Sequence, residues 1–228
     1  MATRVTAGRV DDFQAALDDA AAAALRERGQ PVSYARGRTM FHEGQVPDRV
    51  LLLRTGVVKV RLVTISGREV VLAFRGPGEL VGEQSAVDGS PRSATIVAVE
   101  AVEALAFTQA AFRRFLLDHP DAALALLAIM SRRLREADAR RAEFSSLPAL
   151  GRVASRLLEF SDRFGLELQD GRIRISLPIT QEELAGATGA SIESVGRALQ
   201  TMRTLGYVET GRREILLLDR DALAGLTA

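Results

Sequence analysis

The sequence predicts an α+β protein with an N-terminal β-roll, a long helix and a small C-terminal helical domain. Three observations predict this arrangement. Short β-branched or alternating runs separated by glycine turns fill residues 32–107, and a long apolar repeat at spacings of three and four residues follows them. Near the C-terminus, two short helical segments are joined by a glycine and followed by a hairpin pattern.

The N-terminal half begins with a predicted helix at residues 11–28, which are rich in alanine and place aspartates early and arginines late, as the helix dipole favours. From residue 32 the sequence pattern is that of short strands separated by glycine-containing turns. The predicted strands cover residues 50–53, 57–63, 69–74, 95–99 and 102–107. Many short strands with regular turns are typical of a jelly-roll-like β-roll.

One long helix is predicted from His119 to Leu147. Its repeat has the spacing of a two-stranded coiled-coil seam, formed by Leu127, Met130, Leu134, Ala137, Arg141 and Phe144. We interpret it as a dimerisation helix, and packing on its own domain is the alternative. Pro148 suits the first turn of a further helix, so residues 145–148 predict a hinge. The predicted domains are therefore 1–120, 121–147 and 148–228.

The C-terminal domain is predicted to be a winged helix-turn-helix. Residues 149–164 are amphipathic, and a short strand is expected at 173–177. Thr180 and Glu183 form a capping-box pattern that opens a short helix, which a glycine turn ends. Ser191 then caps a second helix, and a hairpin follows it.

The second of these helices, residues 192–204, predicts a DNA-reading face. Arg197 is placed to bond a guanine bidentately, and Glu193 one turn earlier can accept from a cytosine. The wing arginines Arg212 and Arg213 add positive charge. The alternative to DNA recognition is a helical hairpin that serves only for packing and whose arginines are solvated.

Composition excludes several classes of function. The chain has no cysteine and only two histidines, His42 and His119, without ligand-like spacing, so neither disulfides nor a metal site are expected. No acid–base or nucleophile constellation is evident, so catalysis is not expected. No segment resembles a signal peptide or a membrane span, which predicts a cytoplasmic protein without a membrane partner. The net charge of +1 argues neither for nor against DNA.

The loop Gly78–Thr95, GELVGEQSAVDGSPRSAT, fits neither an ordinary strand nor an ordinary helix. Its glycines allow close approach of backbone N–H groups to an anion. Ser93 adds a hydroxyl, and Arg92 adds a planar fork that matches a phosphate. Glu83 would oppose an anion, but a carboxylate accepts well from a sugar hydroxyl. A phosphate beside a ribose hydroxyl describes a nucleotide.

Gly82-Glu83 followed by Arg92-Ser93-Ala94 resembles the phosphate-binding cassette of the cAMP receptor protein/fumarate-nitrate regulator superfamily. The resemblance extends from about Val32 to the C-terminal wing. It implies that Glu83 takes the ribose 2′-hydroxyl, that Arg92 and Ser93 take the cyclic phosphate, and that Gly82 and Ala94 supply backbone N–H groups.

The resemblance also implies nucleotide-binding positions on the long helix, namely Arg133, Ala137 and Asp138. Relatives that respond to cAMP usually place two small polar residues where Ala137 and Asp138 stand, so the usual adenine contact is missing. A carboxylate accepts from an adenine amino group and suits guanine equally well. The expected effector is therefore a cyclic nucleotide without a metal, with cAMP as first candidate and cGMP as second.

The resemblance further implies a homodimer that binds a palindromic DNA operator and contacts RNA polymerase. Thr180 would touch a DNA phosphate, and Ser191 belongs to the same DNA-facing end of the second helix. Ile192 stands where cAMP-responsive relatives often carry an arginine, and it can touch only a thymine methyl. Two alternatives remain open: a regulator that binds DNA constitutively or with another effector, and a nucleotide sensor that acts on a protein partner.

Overall fold

The computed structural model describes residues 3–4, 11–211 and 214–227. Within the described residues the chain divides into two compact units, one made of residues 11–66 and 71–135 and the other of residues 136–211 and 214–227 with the segments 3–4 and 67–70. Within the described ranges, none of the helices combines the length and hydrophobicity that a membrane span requires.

The secondary structure follows the predicted order of strands, long helix and C-terminal helices. The strands are β1 (Thr3–Arg4), β2 (Gln30–Tyr34), β3 (Thr39–Phe41), β4 (Arg49–Thr55), β5 (Val58–Val63), β6 (Glu69–Arg75), β7 (Leu80–Val81), β8 (Thr95–Ala98), β9 (Val102–Thr108), β10 (Gly165–Glu167), β11 (Ile173–Ile175), β12 (Val208–Gly211) and β13 (Glu214–Leu217). The helices are α1 (Asp19–Arg28), α2 (Glu83–Asp88), α3 (Gln109–Asp118), α4 (Pro120–Ser146), α5 (Ala149–Phe164), α6 (Gln181–Thr188), α7 (Ile192–Thr204) and α8 (Arg220–Gly225).

The N-terminal unit is a β-roll of two four-stranded sheets, with strand orders β2-β9-β4-β7 and β3-β8-β5-β6. Strand β4 is buried on both faces. Its alternation sends Val50 and Leu52 into a core with Phe112, and Leu51 and Leu53 into a second core with Phe41. The cassette strand β7 pairs with β4, so the cassette is attached to the most buried strand of the unit.

Five predicted strands of the roll are confirmed, and the short strands β2, β3 and β7 are additional. The prediction of a helix over residues 11–28 is wrong in its first turns. Residues 11–17 form turns, and the helix begins at Asp19 because the Asp18 side chain accepts from the Ala21 N–H at 2.7 Å. Phe13, which is fully buried in the core, fixes the preceding segment.

The long helix is confirmed as α4, Pro120–Ser146. One face buries Ala122, Leu126 and Ile129 in the core of the roll, whereas Leu127 and Leu134 of the predicted seam are 61% and 64% exposed. Two seam leucines on the face opposite the core are the arrangement that a second copy requires.

The last predicted seam residue, Phe144, has a neighbour in its own chain. A Cβ placed on Gly189 would lie 2.6 Å from the Phe144 ring, and the Arg152 guanidinium lies 5.1 Å from the ring centroid. Phe144 therefore packs at the turn between α6 and α7.

The C-terminal unit is a helix-turn-helix on a sheet with the strand order β1-β10-β11-β13-β12. Helix α5 buries Val153, Leu157 and Phe160, as its amphipathic pattern predicts. Strand β11 ends at Ile175, two residues before the predicted end, and Pro148 is the N-cap of α5 rather than a first-turn residue. The hairpin of β12 and β13 is confirmed on either side of residues 212–213.

Candidate functional site

Gly82 is the point at which the cassette turns from strand β7 into helix α2. Its φ of 78° lies in the left-handed region, which a side chain disfavours. A Cβ at this position would lie 2.6 Å from Arg92 Nη1 and 2.8 Å from Phe41 Cε2. Only glycine lets the backbone pass this close to the arginine. The loop pattern predicts an irregular segment, and the six-residue helix α2 within it was not predicted.

Arg92 lies inside the cassette and is only 3% exposed. Nη1 donates to the Gly82 carbonyl at 2.9 Å, and Nη2 donates to the Arg49 carbonyl at 2.5 Å and to Asp48 Oδ1 at 3.1 Å. The guanidinium also lies 3.9 Å from the centroid of the Phe41 ring. Nε is buried and has no hydrogen-bond partner. Arg92 therefore joins the cassette to β4 and keeps one donor for another acceptor.

Asp48 is the internal counter-ion of Arg92, and the sequence analysis did not single it out. Burial raises the pKa of Asp48, but hydrogen bonds from Arg49 and Arg92 outweigh it and hold this pKa below its ordinary value. Burial lowers the pKa of Arg92, and the hydrogen bond that Arg92 donates to Asp48 offsets part of that effect. The ion pair between Arg92 and Asp48 is thus part of the fold of the N-terminal unit.

Glu83 is 4% exposed, and its Oε1 lies 2.7 Å from Arg133 Nη1 on α4. Two of the predicted nucleotide-binding residues are thereby in direct contact. Ser93 is exposed, and its hydroxyl donates to Gln84 Oε1 at 3.3 Å. Ala94, beside it, is buried. The cassette therefore gathers one buried carboxylate, one buried unpaired donor and one exposed hydroxyl.

Ala137 and Asp138 are exposed on α4, and their predicted contact with a purine remains a prediction. No local signal in the sequence distinguished Asp48 or Asp11 from the other aspartates of the chain. Each acts on residues that lie far from it in the chain.

The helix-turn-helix has the predicted caps. Thr180 accepts from the Glu183 N–H at 3.1 Å, and Glu183 accepts from the Thr180 N–H at 2.9 Å. Ser191 caps α7 by accepting from the Ser194 N–H at 3.1 Å. These bonds satisfy backbone N–H groups of the first helical turn that have no partner within the helix, and they fix the residue at which each helix begins.

Helix α7 buries Val195, Leu199 and Met202, as the sequence predicts. Its outer face presents Ile192, which is 52% exposed, together with Glu193 and Arg197. Arg197 forms an ion pair with Glu193 and donates to Ser194 Oγ at 3.1 Å.

The outer face of α7 therefore presents Arg197 as a donor and Glu193 as an acceptor, and their contact with base edges in a major groove remains a prediction. Arg212 and Arg213 lie outside the described residues.

Two family models match the chain. "Cyclic nucleotide-binding domain" matches residues 31–119, and "Crp-like helix-turn-helix domain" matches residues 151–226. The chain is 34% identical over 208 residues to the "CRP-like cAMP-activated global transcriptional regulator" of Mycobacterium tuberculosis, covering 91% of this chain and 92% of that protein. It belongs to the cAMP receptor protein/fumarate-nitrate regulator superfamily.

Other members of this superfamily give the same result. The "Cyclic AMP receptor protein" of Thermus thermophilus is 35% identical over 194 residues, which cover 83% of this chain and 86% of that one. The solved structure of FixK2 from Bradyrhizobium japonicum has the same fold, with a TM-score of 0.78 at 24% identity, over 88% of this chain and 98% of that chain. The chain is a transcription regulator of the superfamily with a cyclic-nucleotide-binding domain and a DNA-binding helix-turn-helix.

Proposed function

We propose that the chain is a homodimeric, sequence-specific DNA-binding regulator controlled by a cyclic nucleotide, with cAMP as first candidate and cGMP as second. In this proposal residues 1–120 bind the nucleotide and residues 121–147 form the dimer interface. Residues 148–228 bind a palindromic operator, and the bound regulator contacts RNA polymerase. The observation that carries the proposal is the buried, unpartnered Nε of Arg92 beside a buried carboxylate, Glu83.

The chemistry of the cassette fits a ribose phosphate. A buried N–H without an acceptor costs about 1–3 kcal/mol, and an anionic oxygen at Arg92 Nε would remove that cost. Ser93 would add a hydroxyl donor to the same phosphate, because its present partner, Gln84, is an exposed and replaceable acceptor. Glu83 would accept the 2′-hydroxyl, and its charge is already balanced by Arg133.

Control of DNA binding follows from a two-state equilibrium. A ligand shifts such an equilibrium only by the difference between its affinities for the two states. We propose that the nucleotide favours a state in which the two α7 helices of a dimer lie about 34 Å apart, one turn of DNA. Residues 145–148 are the proposed hinge, since the helical pattern is interrupted at Leu147 and Pro148, between the end of α4 and the start of α5.

The competing candidate is a regulator that binds DNA without a nucleotide. Its support is that Arg92 already has an anionic partner in Asp48, at 3.1 Å. Ala137 and Asp138 support it too, because they replace the small polar pair that cAMP-responsive relatives usually carry.

Two measurements on the purified protein distinguish the two candidates. Calorimetric titration with cAMP and with cGMP measures nucleotide affinity. Binding to a random-site DNA pool, with and without each nucleotide, measures whether the nucleotide changes DNA affinity. Ser93→Ala should weaken nucleotide binding about fivefold, the effect of one hydrogen bond worth about 1 kcal/mol. Ser90→Ala, an exposed serine on the same loop, is the matched control and should have no effect. If neither nucleotide binds and DNA affinity is the same throughout, the constitutive candidate is correct.

A further inference from the structure

A cluster of six charged side chains lies next to the cassette in the N-terminal unit, and five of them are largely buried whereas Arg132 is 29% exposed. It contains three carboxylates and three arginines, so its formal charge is balanced. We name it the Arg133 cluster, and its members are Asp11, Arg75, Glu79, Glu83, Arg132 and Arg133. Only Glu83 and Arg133 among these belong to the proposed nucleotide site.

Arg133 is the central residue of the cluster, because each of its three nitrogens has a partner. Nη1 lies 2.7 Å from Glu83 Oε1, and Nε lies 3.3 Å from Asp11 Oδ2. Nη2 donates to the Leu80 carbonyl at 3.3 Å and lies 3.6 Å from Glu79 Oε2. A planar guanidinium that is held on all of its edges has one orientation, and that orientation fixes the position of the Glu83 carboxylate.

Asp11 is held in place independently of Arg133. Phe13, two residues later, is fully buried against Phe112, and its N–H donates to the Gly78 carbonyl at 2.8 Å. Asp11 Oδ2 also accepts from Arg75 Nη1 at 3.4 Å. Because the backbone on one side and Arg75 on the other fix this carboxylate, Asp11 provides a rigid anchor for Arg133.

Loss of the Asp11 charge would remove one carboxylate that contacts all three arginines of the cluster. An uncompensated buried charge is unfavourable, so the arginines would turn towards the acids that remain. Arg133 would lose the anchor at Nε, and Arg75 would no longer be shared between Asp11 and Glu79. The Glu83 carboxylate would then turn towards the arginines of the cluster and away from a ligand hydroxyl.

We propose that Asp11 is a positioning residue for ribose recognition, which orients Glu83 through Arg133 and makes the N-terminal segment part of the nucleotide site. The proposal rests on the proposed function, because it takes Glu83 as the acceptor of the 2′-hydroxyl. It concerns specificity for the sugar and leaves the phosphate contacts of Arg92 and Ser93 unaffected.

The test compares cAMP with 2′-deoxy-cAMP on the full-length protein and on Asp11→Asn, which keeps the shape of the side chain and removes its charge. We expect Asp11→Asn to weaken cAMP binding about tenfold, the effect of losing a well-oriented hydrogen bond to a carboxylate. Binding of 2′-deoxy-cAMP should change less than about twofold, because that ligand lacks the hydroxyl. Asp12→Asn is the matched control: Asp12 Oδ1 accepts from the Ala15 N–H and is outside the cluster.

An equal loss for both nucleotides, or no loss for either, would overturn the proposal, since Asp11 would then act on the fold alone or on nothing. If the unaltered protein binds both nucleotides equally, Glu83 does not read the hydroxyl, and the proposal is again overturned. If the unaltered protein binds neither, the proposed function has failed and the proposal falls with it.

Should Asp11→Asn fail to fold, Arg133→Lys serves instead. Lysine keeps the charge balance of the cluster and removes the Nε donor to Asp11. The same selective loss for cAMP is expected in this variant, and an equal loss for the two ligands would contradict the proposal.

Discussion

Replacement of Arg92 by alanine should destabilise the β-roll itself, in addition to any effect on ligand binding. The side chain is 3% exposed and donates to two main-chain carbonyls, of Gly82 and of Arg49. Each of these bonds contributes about 1 kcal/mol, and the contact with the Phe41 ring contributes about 1 kcal/mol more. The ion pair with Asp48 adds little, because the Asp48 side chain is 43% exposed.

The expected loss is therefore about 3 kcal/mol, which lowers the protection of roll amides roughly a hundredfold. Hydrogen exchange followed by mass spectrometry on the β4 peptide, residues 50–53, measures the roll separately from the C-terminal unit. Arg49→Ala is the control, because its side chain also pairs with Asp48 but is 46% exposed. Its effect should stay below about 1 kcal/mol.

The reasoning is refuted if Arg92→Ala and Arg49→Ala leave β4 equally protected. In that case the bonds to Gly82 and Arg49 contribute nothing to the fold, and Arg92 serves a ligand alone. If the predicted loss is found, weaker nucleotide binding in Arg92→Ala cannot be assigned to a lost phosphate contact. Ser93, which is exposed, is the cleaner probe of that contact.

Three further outcomes follow from the structure. Thr180→Ala should lower the free energy of unfolding of the C-terminal unit by about 1 kcal/mol because it removes the capping box, and thermal unfolding should show Thr180→Ser to be near wild type. Arg197→Ala should cost about 1–3 kcal/mol of operator affinity and relax preference at one base pair, whereas an equal loss on every DNA sequence would make Arg197 a phosphate contact. Leu134→Glu, at an exposed seam position, should produce monomers in light scattering, and Leu117→Glu, equally exposed on α3, should not.

Helices α5, α6 and α7 of the C-terminal unit were predictable almost to the residue, whereas the short helix α8 was not predicted. Helix α7 runs from Ile192 to Thr204 as expected, because Ser191 caps it and a stripe of three buried residues defines its inner face. The capping-box pattern of Thr180 and Glu183 likewise predicts the start of α6. A capping box involves four consecutive residues, so a local pattern contains all of the information that it needs.

The N-terminal segment shows where local patterns are insufficient. Its alanines and charges predict a helix from residue 11, yet the burial of Phe13 and the cap at Asp18 delay the helix to Asp19. Phe13 gains more from the core than from one additional helical turn, since fully burying such a side chain contributes about 1.5–3 kcal/mol. The helix propensity of residues 11–17 contributes less free energy than the burial of Phe13, so the segment adopts the conformation that buries Phe13.

The sequence by itself determined the main strands of the roll, the long helix, the helix-turn-helix and the superfamily, because caps, alternation and the cassette spacing are all encoded within a few neighbouring residues. The tertiary structure alone decided how the charged residues of the cassette are used. Arg92 bonds to carbonyls of Gly82 and Arg49, and Asp11 reaches Arg133 across 122 positions of the chain. Such pairings depend on which strands and helices meet in space, and a low-dielectric interior makes each buried charge dependent on the partner that it finds there.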